Sequence, residues 1–286
     1  MIKFNRITTR FTWNGVERMM IKIKKVFFGF ASLFSTLCSL NAAPLNVPQN
    51  FPTITDAMMS AKKGDTVWVE PGIYHEYIYV APDITLLSRS IFKAILDGRG
   101  RGTIVTMGNN SVFSGFEVRN GTIGIFSTAN GVTISQCRVS FNQQTGIMCV
   151  GNLPRIEDNL IVYNKGSGIQ GWDVRTTSSS INHNTIAYNG NHGISIGGNS
   201  SIVIENNIIA FNSQFGLKPS EATVRIQMIN NNFFQNAKFT NVLPSDNFSF
   251  NPMFLDAQQL NFLLDKSSRC IGRASDNQNI GARVVY

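Results

Sequence analysis

The chain has 286 residues, 43% hydrophobic and 15% charged, with a formal charge of +8. This composition excludes intrinsic disorder, which needs low hydrophobicity with high net charge, and the length suffices for one large core or two smaller ones. The charge is localised: Lys3, Arg6, Arg10, Arg18, Lys22, Lys24 and Lys25 against Glu17 give residues 1–25 a net +6, leaving +2 for the rest and no basis for a nucleic-acid partner.

Lys22, Lys24 and Lys25 precede an uncharged, mostly apolar run over 26–40, and Ala42 and Ala43 follow. A basic region, an apolar region and a small-residue cleavage zone in that order are the pattern of a signal peptide. The run is shorter than the ~18 residues that indicate a membrane span. Residues 1–43 are therefore expected to be a signal peptide with an upstream extension, since Met19 and Met20 stand where such a signal begins. Cys38 follows Leu37, a larger residue than lipoprotein processing prefers, so a lipid anchor is the lesser reading. The expected location is secreted, periplasmic or cell-surface, without a stable membrane span. Residues 44–286 then form one domain, with Cys137, Cys149 and Cys270 as its cysteines. No CxxC spacing exists, so a zinc site is unsupported, and Cys137 and Cys149 read as small core residues.

Within that domain, Thr53 and Asp56 bracket a capping-box pattern. Ile54, Ala57, Met58 and Ala61 follow at helical spacing, with Gly64 as the stop. Period-2 alternation then predicts strands over 65–70, 73–80, 83–88 and 94–98.

From residue 134 the chain repeats. Four copies start at Ile134, Ile156, Ile181 and Ile204, each with Asn eight residues on and a Gly followed by Ile or Leu four residues later. A weaker copy starts at Val112 and a shortened one at Ile229. Each copy alternates with period 2 and is punctuated by Asn and Gly, so it is a set of short strands joined by turns. One copy cannot bury its own apolar face. Stacked copies can, with each strand pairing to its equivalent about 4.8 Å away, which is a parallel β-helix. Three columns follow. Cys137, Asn159, Asn184, Asn207 and Asn232 are expected to form a hydrogen-bonded ladder. Phe141, Tyr163, Tyr188 and Phe211 are expected to stack inward. Gly124, Gly146, Gly168, Gly193 and Gly216 mark a bend that a side chain would obstruct. The helix at 54–61 is placed to cover the open N-terminal coil, as a solenoid end requires.

Thr53 to Ala57, Lys63 to Val67, Pro71 to Tyr74 and Ile95 to Gly98 resemble the opening of secreted right-handed parallel β-helix proteins of the pectate-lyase-like group. Phe250 to Phe254, Leu260 to Leu264 and Ile280 to Ala282 are similar to the closing segment of such proteins. The resemblance spans roughly 46–282 and implies an all-β, right-handed parallel β-helix with an N-terminal capping helix. The group includes pectinesterases, polysaccharide lyases and non-catalytic accessory proteins, so it implies polysaccharide as partner without fixing an activity. The Asp-Phe-Ile-Phe-Gly run of pectinesterases is absent. Clustered Asp for hydrolysis is absent as well, because the repeats hold only Asp158 and Asp173, in different columns.

Lyases of this shape imply calcium held by several carboxylates, with a basic residue taking the proton. Calcium enters only with that reading, and no metal ligands can be assigned. Asp158 and His183 fall in one column of adjacent copies and are the candidate catalytic acid–base pair, the alternative being an ordinary surface pair. The copy at 156–180 has a longer turn, and insertions in solenoids carry binding. There Trp172 is the candidate to stack on a sugar ring, with Asp173 and Arg175 bonding its hydroxyls or carboxylates. Lys165, His192, Lys218 and Arg225 lie near other turns. Three readings stand: a secreted protein that binds or acts on polysaccharide, a calcium-assisted lyase or epimerase on an acidic glycan, and a non-catalytic structural or accessory surface protein.

Overall fold

The computed structural model describes residues 45–176, 179–220, 223–238 and 243–284. The expected signal peptide at 1–43 lies outside them. Three parallel sheets stack along one axis. Sheet 1 has nine strands, from Leu45–Val47 to Arg225–Ile229. Sheet 2 has eight, from Gly72–Tyr74 to Asn232–Phe234, and sheet 3 has seven, from Ile78–Val80 to Leu217–Pro219. From Thr66 to Pro219 each coil visits sheets 1, 2 and 3 in turn. The interior is a stack of aliphatic columns. In sheet 1, Val67, Leu86, Phe113, Ile134, Ile156, Ile181 and Ile204 align in register and are fully buried.

The helix spans Ile54–Ser60 and buries Ile54, Ala57 and Met58 against the first coil. The Asp56 N–H donates to Thr53 Oγ1 at 3.0 Å. The Ile54 and Thr55 N–H groups donate to the Glu76 carboxylate at 3.0 and 2.9 Å, so a carboxylate from the next turn satisfies the exposed helix start. The single strand expected over 73–80 is two strands, Gly72–Tyr74 in sheet 2 and Ile78–Val80 in sheet 3, because the chain turns a corner at 75–77.

The asparagine ladder exists, with one correction. The Asn159 N–H donates to Asn184 Oδ1 at 3.0 Å, Asn184 to Asn207 at 2.8 Å and Asn207 to Asn231 at 3.0 Å. The rung after Asn207 is thus Asn231, not Asn232, and its N–H donates on to Asn247 Oδ1 at 3.0 Å. The last copy is one residue out, Ile204 pairing with Met228, and the first is out likewise, Ile134 pairing with Phe113. A second ladder runs through the Asn that follows each aromatic. Asn142 N–H donates to Asn164, Asn164 to Asn189, Asn189 to Asn212 and Asn212 to Asn236, each at 3.1–3.2 Å. Both ladders place an amide in a corner where the backbone has left the sheet, satisfying buried groups that would otherwise be orphaned.

Phe141, Tyr163, Tyr188 and Phe211 do stack, at centroid separations of 5.6, 5.2 and 4.8 Å. They face outward, not inward. Each has φ between 56° and 58°, and this left-handed residue throws its ring out of the corner while the next Asn turns in. The glycine column behaves as expected. A Cβ at Gly193 would lie 2.6 Å from the Gly216 carbonyl oxygen of the next coil.

A closing segment, 250–284, folds back over the outer face of sheet 2. Phe262, Cys270 and Ile280 are buried there against Leu160, Val162, Ala187, Ile208 and Ala210. Cys137, Cys149 and Cys270 are free and buried, and burial pushes the first two thiols up to about 12 and the third to about 11. No helix among the described residues is long and apolar enough to cross a membrane.

Candidate functional site

Asp158 and His183 occupy the corner between sheets 1 and 2, in line with Gln136, Asn206 and Asn230, all with positive φ. Their coils are adjacent, since Glu157 pairs with Asn182. Their side chains are nevertheless directed to the closing segment. Asp158 Oδ1 accepts from Arg283 Nε at 2.7 Å, and Oδ2 from Nη2 at 2.7 Å. His183 Nε2 is 3.1 Å from Asp276 Oδ2, which also accepts from Arg283 Nη1 at 3.1 Å. With Asp276 ionised, Nε2 carries the proton and donates. His183 is only 1% exposed, and its Nδ1 is buried without a partner. Next along the column, the Ser275 N–H donates to Asn206 Oδ1 at 2.9 Å. One arginine holding one aspartate bidentately is a docking geometry. The imidazole is buried and, with Asp158, engaged by the closing segment, so the corner holds the tail.

The Trp172 turn is arranged differently. It is not a long loop but the end of the strand Ile169–Val174, where a register shift between Gly171 and Val174 forms a bulge against the next coil. Gly171 and Val174 point in, and the two residues between them are left outside. Trp172 is 55% exposed, and Asp173 is left-handed at φ 48°. Gly198 makes the bulge fit, because a Cβ there would stand 2.3 Å from the Val174 nitrogen. Arg175 Nε and Nη2 donate to the Asp173 carboxylate at 3.1 and 2.7 Å, which holds the guanidinium firmly charged. Beside this pair opens a shallow cleft of about 790 Å³, lined also by Gly198, Asn199, Ser200, Ser201 and Arg225. The cleft is therefore lined by a fixed ion pair, the exposed Ser201 and a second arginine, with the exposed indole of Trp172 next in sequence to Asp173.

Sequence reading singled out Trp172, Asp173 and Arg175 but did not join Ser200, Ser201 and Arg225 to them. The signal was the copy spacing, since Ser201 pairs with Arg225 and its N–H donates to the Thr176 carbonyl, placing the three coils side by side. Sequence reading also missed a charged network on the early coils. Arg119 bridges Asp97 and the buried Glu117, and Arg138 pairs with Glu117. Asp97 is thus tied into the coil edge by Arg119. Burial alone would raise its pKa, but the Arg99 N–H, Arg119 and Asn120 outweigh that and lower it. Among the described residues no group of three or more His, Cys, Asp or Glu side chains is placed to hold a metal ion, so they do not fit a multi-carboxylate calcium site.

The family model described as right handed beta helix region matches residues 102–252. The chain belongs to the right-handed β-helix family. Among solved structures similar to this β-helix protein, pectate lyase Pel9A gives a TM-score of 0.51 at 13% identity, over 84% of this chain and 95% of that one. The mannuronan C-5 epimerase AlgE4 A-module of Azotobacter vinelandii gives 0.40 at 16% identity, over 64% of this chain and 72% of that one. A mutant of the PL6 family alginate lyase AlyGC gives 0.42 at 14% identity, over 68% of this chain and 39% of that one. At such identities the likeness is one of fold. No curated protein sequence matches the chain.

Proposed function

We propose that this β-helix protein is an exported polysaccharide-binding protein that contacts its ligand at the Trp172 turn. The observation that supports this reading is the bulge, which leaves Trp172 half exposed next in sequence to Asp173, whose bidentate pair with Arg175 lines an open cleft. An exposed indole supplies a flat apolar face for the C–H side of a pyranose ring. The ion pair and the exposed Ser201 hydroxyl supply donors and acceptors for its hydroxyls. Polysaccharide lyases and an epimerase share this architecture, which is compatible with a glycan ligand. Export is supported by the net +6 over residues 1–25 and the apolar run behind it.

The test is retention of the protein on immobilised pectate, alginate and glycosaminoglycan, run together with absorbance of unsaturated uronate with and without Ca²⁺. Retention that Trp172→Ala removes, without unsaturated product, is the expected result. Product formation would replace this reading by the lyase one. Absence of retention on every polymer would leave a structural or accessory role.

A further inference from the structure

The two arginines of the cleft differ in what already engages them. Arg175 is held by Asp173 through two hydrogen bonds, so this pair presents no net charge to a ligand. Arg225 lines the same cleft, is exposed, and has no carboxylate within ion-pair distance among the described residues. Its backbone is fixed, because it opens the strand Arg225–Ile229 and its N–H donates to the Ser200 carbonyl at 2.8 Å. Among the described lining residues the net charge is therefore that of Arg225. Two coil steps, about 10 Å, separate it from the coil of Arg175, so a ligand that touches both Trp172 and Arg225 spans more than one sugar unit.

We propose that Arg225, rather than Arg175, is the specificity-determining residue that recognises the carboxylate of an acidic sugar unit. This rests on the polysaccharide-binding reading and adds to it where the charge discrimination resides. Trp172 and the Asp173–Arg175 pair address the ring and its hydroxyls, which acidic and neutral sugars share. Arg225 offers a planar guanidinium that no carboxylate among the described residues engages, suited to a carboxylate and indifferent to its ester.

The test compares oligomers of galacturonate and mannuronate, each as free acid and as methyl ester, by calorimetric titration of the full chain. Wild type is expected to prefer the free acid of the oligomer it binds. Arg225→Gln lowers free-acid affinity about tenfold, leaves the ester unchanged and flattens the dependence on salt. The double variant Asp173→Asn with Arg175→Gln weakens both forms and keeps the acid-to-ester ratio. A ratio unchanged in Arg225→Gln, or an equal loss for acid and ester, overturns the assignment to Arg225 while the binding reading survives. Wild type that binds neither form of either oligomer, or Trp172→Ala that binds both fully, overturns the binding reading and the assignment with it. Arg225 is exposed, so an unchanged circular dichroism spectrum confirms that its variant is folded.

Discussion

The turn at Trp172 shares a coil with Asp158, whose corner continues to His183 on the next, and both places carry an aspartate paired with an arginine. At the corner the arginine comes from 125 residues away and the pair lies beneath a folded-back tail. At the turn it comes from two residues away and the pair stands in solvent. The same chemistry thus fastens the protein to itself in one place and is free to meet something else in the other. What lies over a charged pair on a solenoid decides its role, and the composition of the pair does not.

The comparison breaks most visibly if the corner is emptied from inside. Asn184→Ala orphans the Asn159 N–H and the Ile156 and Asn182 carbonyls. A loss of roughly 3–5 kcal/mol is expected, read from the urea midpoint. Arg283→Met acts from outside. It leaves Asp158, with a side chain 13% exposed, unpaired, and should cost roughly 1–2 kcal/mol. It should also let a thiol reagent reach Cys270 while Cys137 stays protected. Equal labelling of both would mean that tail and coils open as one unit.

Acid sharpens the same contrast. Burial alone would raise the Asp276 pKa, but the Gln278 N–H and the charges of His183 and Arg283 outweigh it and lower it. A carboxyl lowered on folding stabilises the protein above its unfolded value of about 3.9 and loses that contribution as pH falls through the folded one. The wild-type urea midpoint should therefore fall below about pH 4, and Asp276→Asn should flatten part of that fall. At the open turn the effect on stability is smallest. Trp172→Ala should change stability by no more than about 0.5 kcal/mol, while removing retention on polysaccharide.

The fold was legible because each copy repeats the same Ile, Asn and Gly offsets, and stacking is what such a period physically demands. Register slipped only at the flanking copies, where Phe113 and Met228 replace the marker Ile. The aromatic column was misdirected because period-2 alternation assumes extended backbone, and Phe141 and its equivalents are left-handed. The cover over His183 was not legible at all. The closing segment carries no repeat, and Asp276 reaches its histidine across 93 residues of sequence. The Trp172 turn was visible as extra length in one copy. Arg225 was not, because its neighbourhood is created by stacking rather than by sequence proximity.

The ladders cannot count. Each Asn meets an identical neighbour, so an added or deleted coil would find the same partners as before. The tail can, because it touches Asn206, His183 and Asp158 on three successive coils through Ser275, Asp276 and Arg283. It is a ruler laid along the axis. Duplication of one coil between Asp158 and Asn206 would leave every rung satisfied and Arg283 one repeat short of its mark.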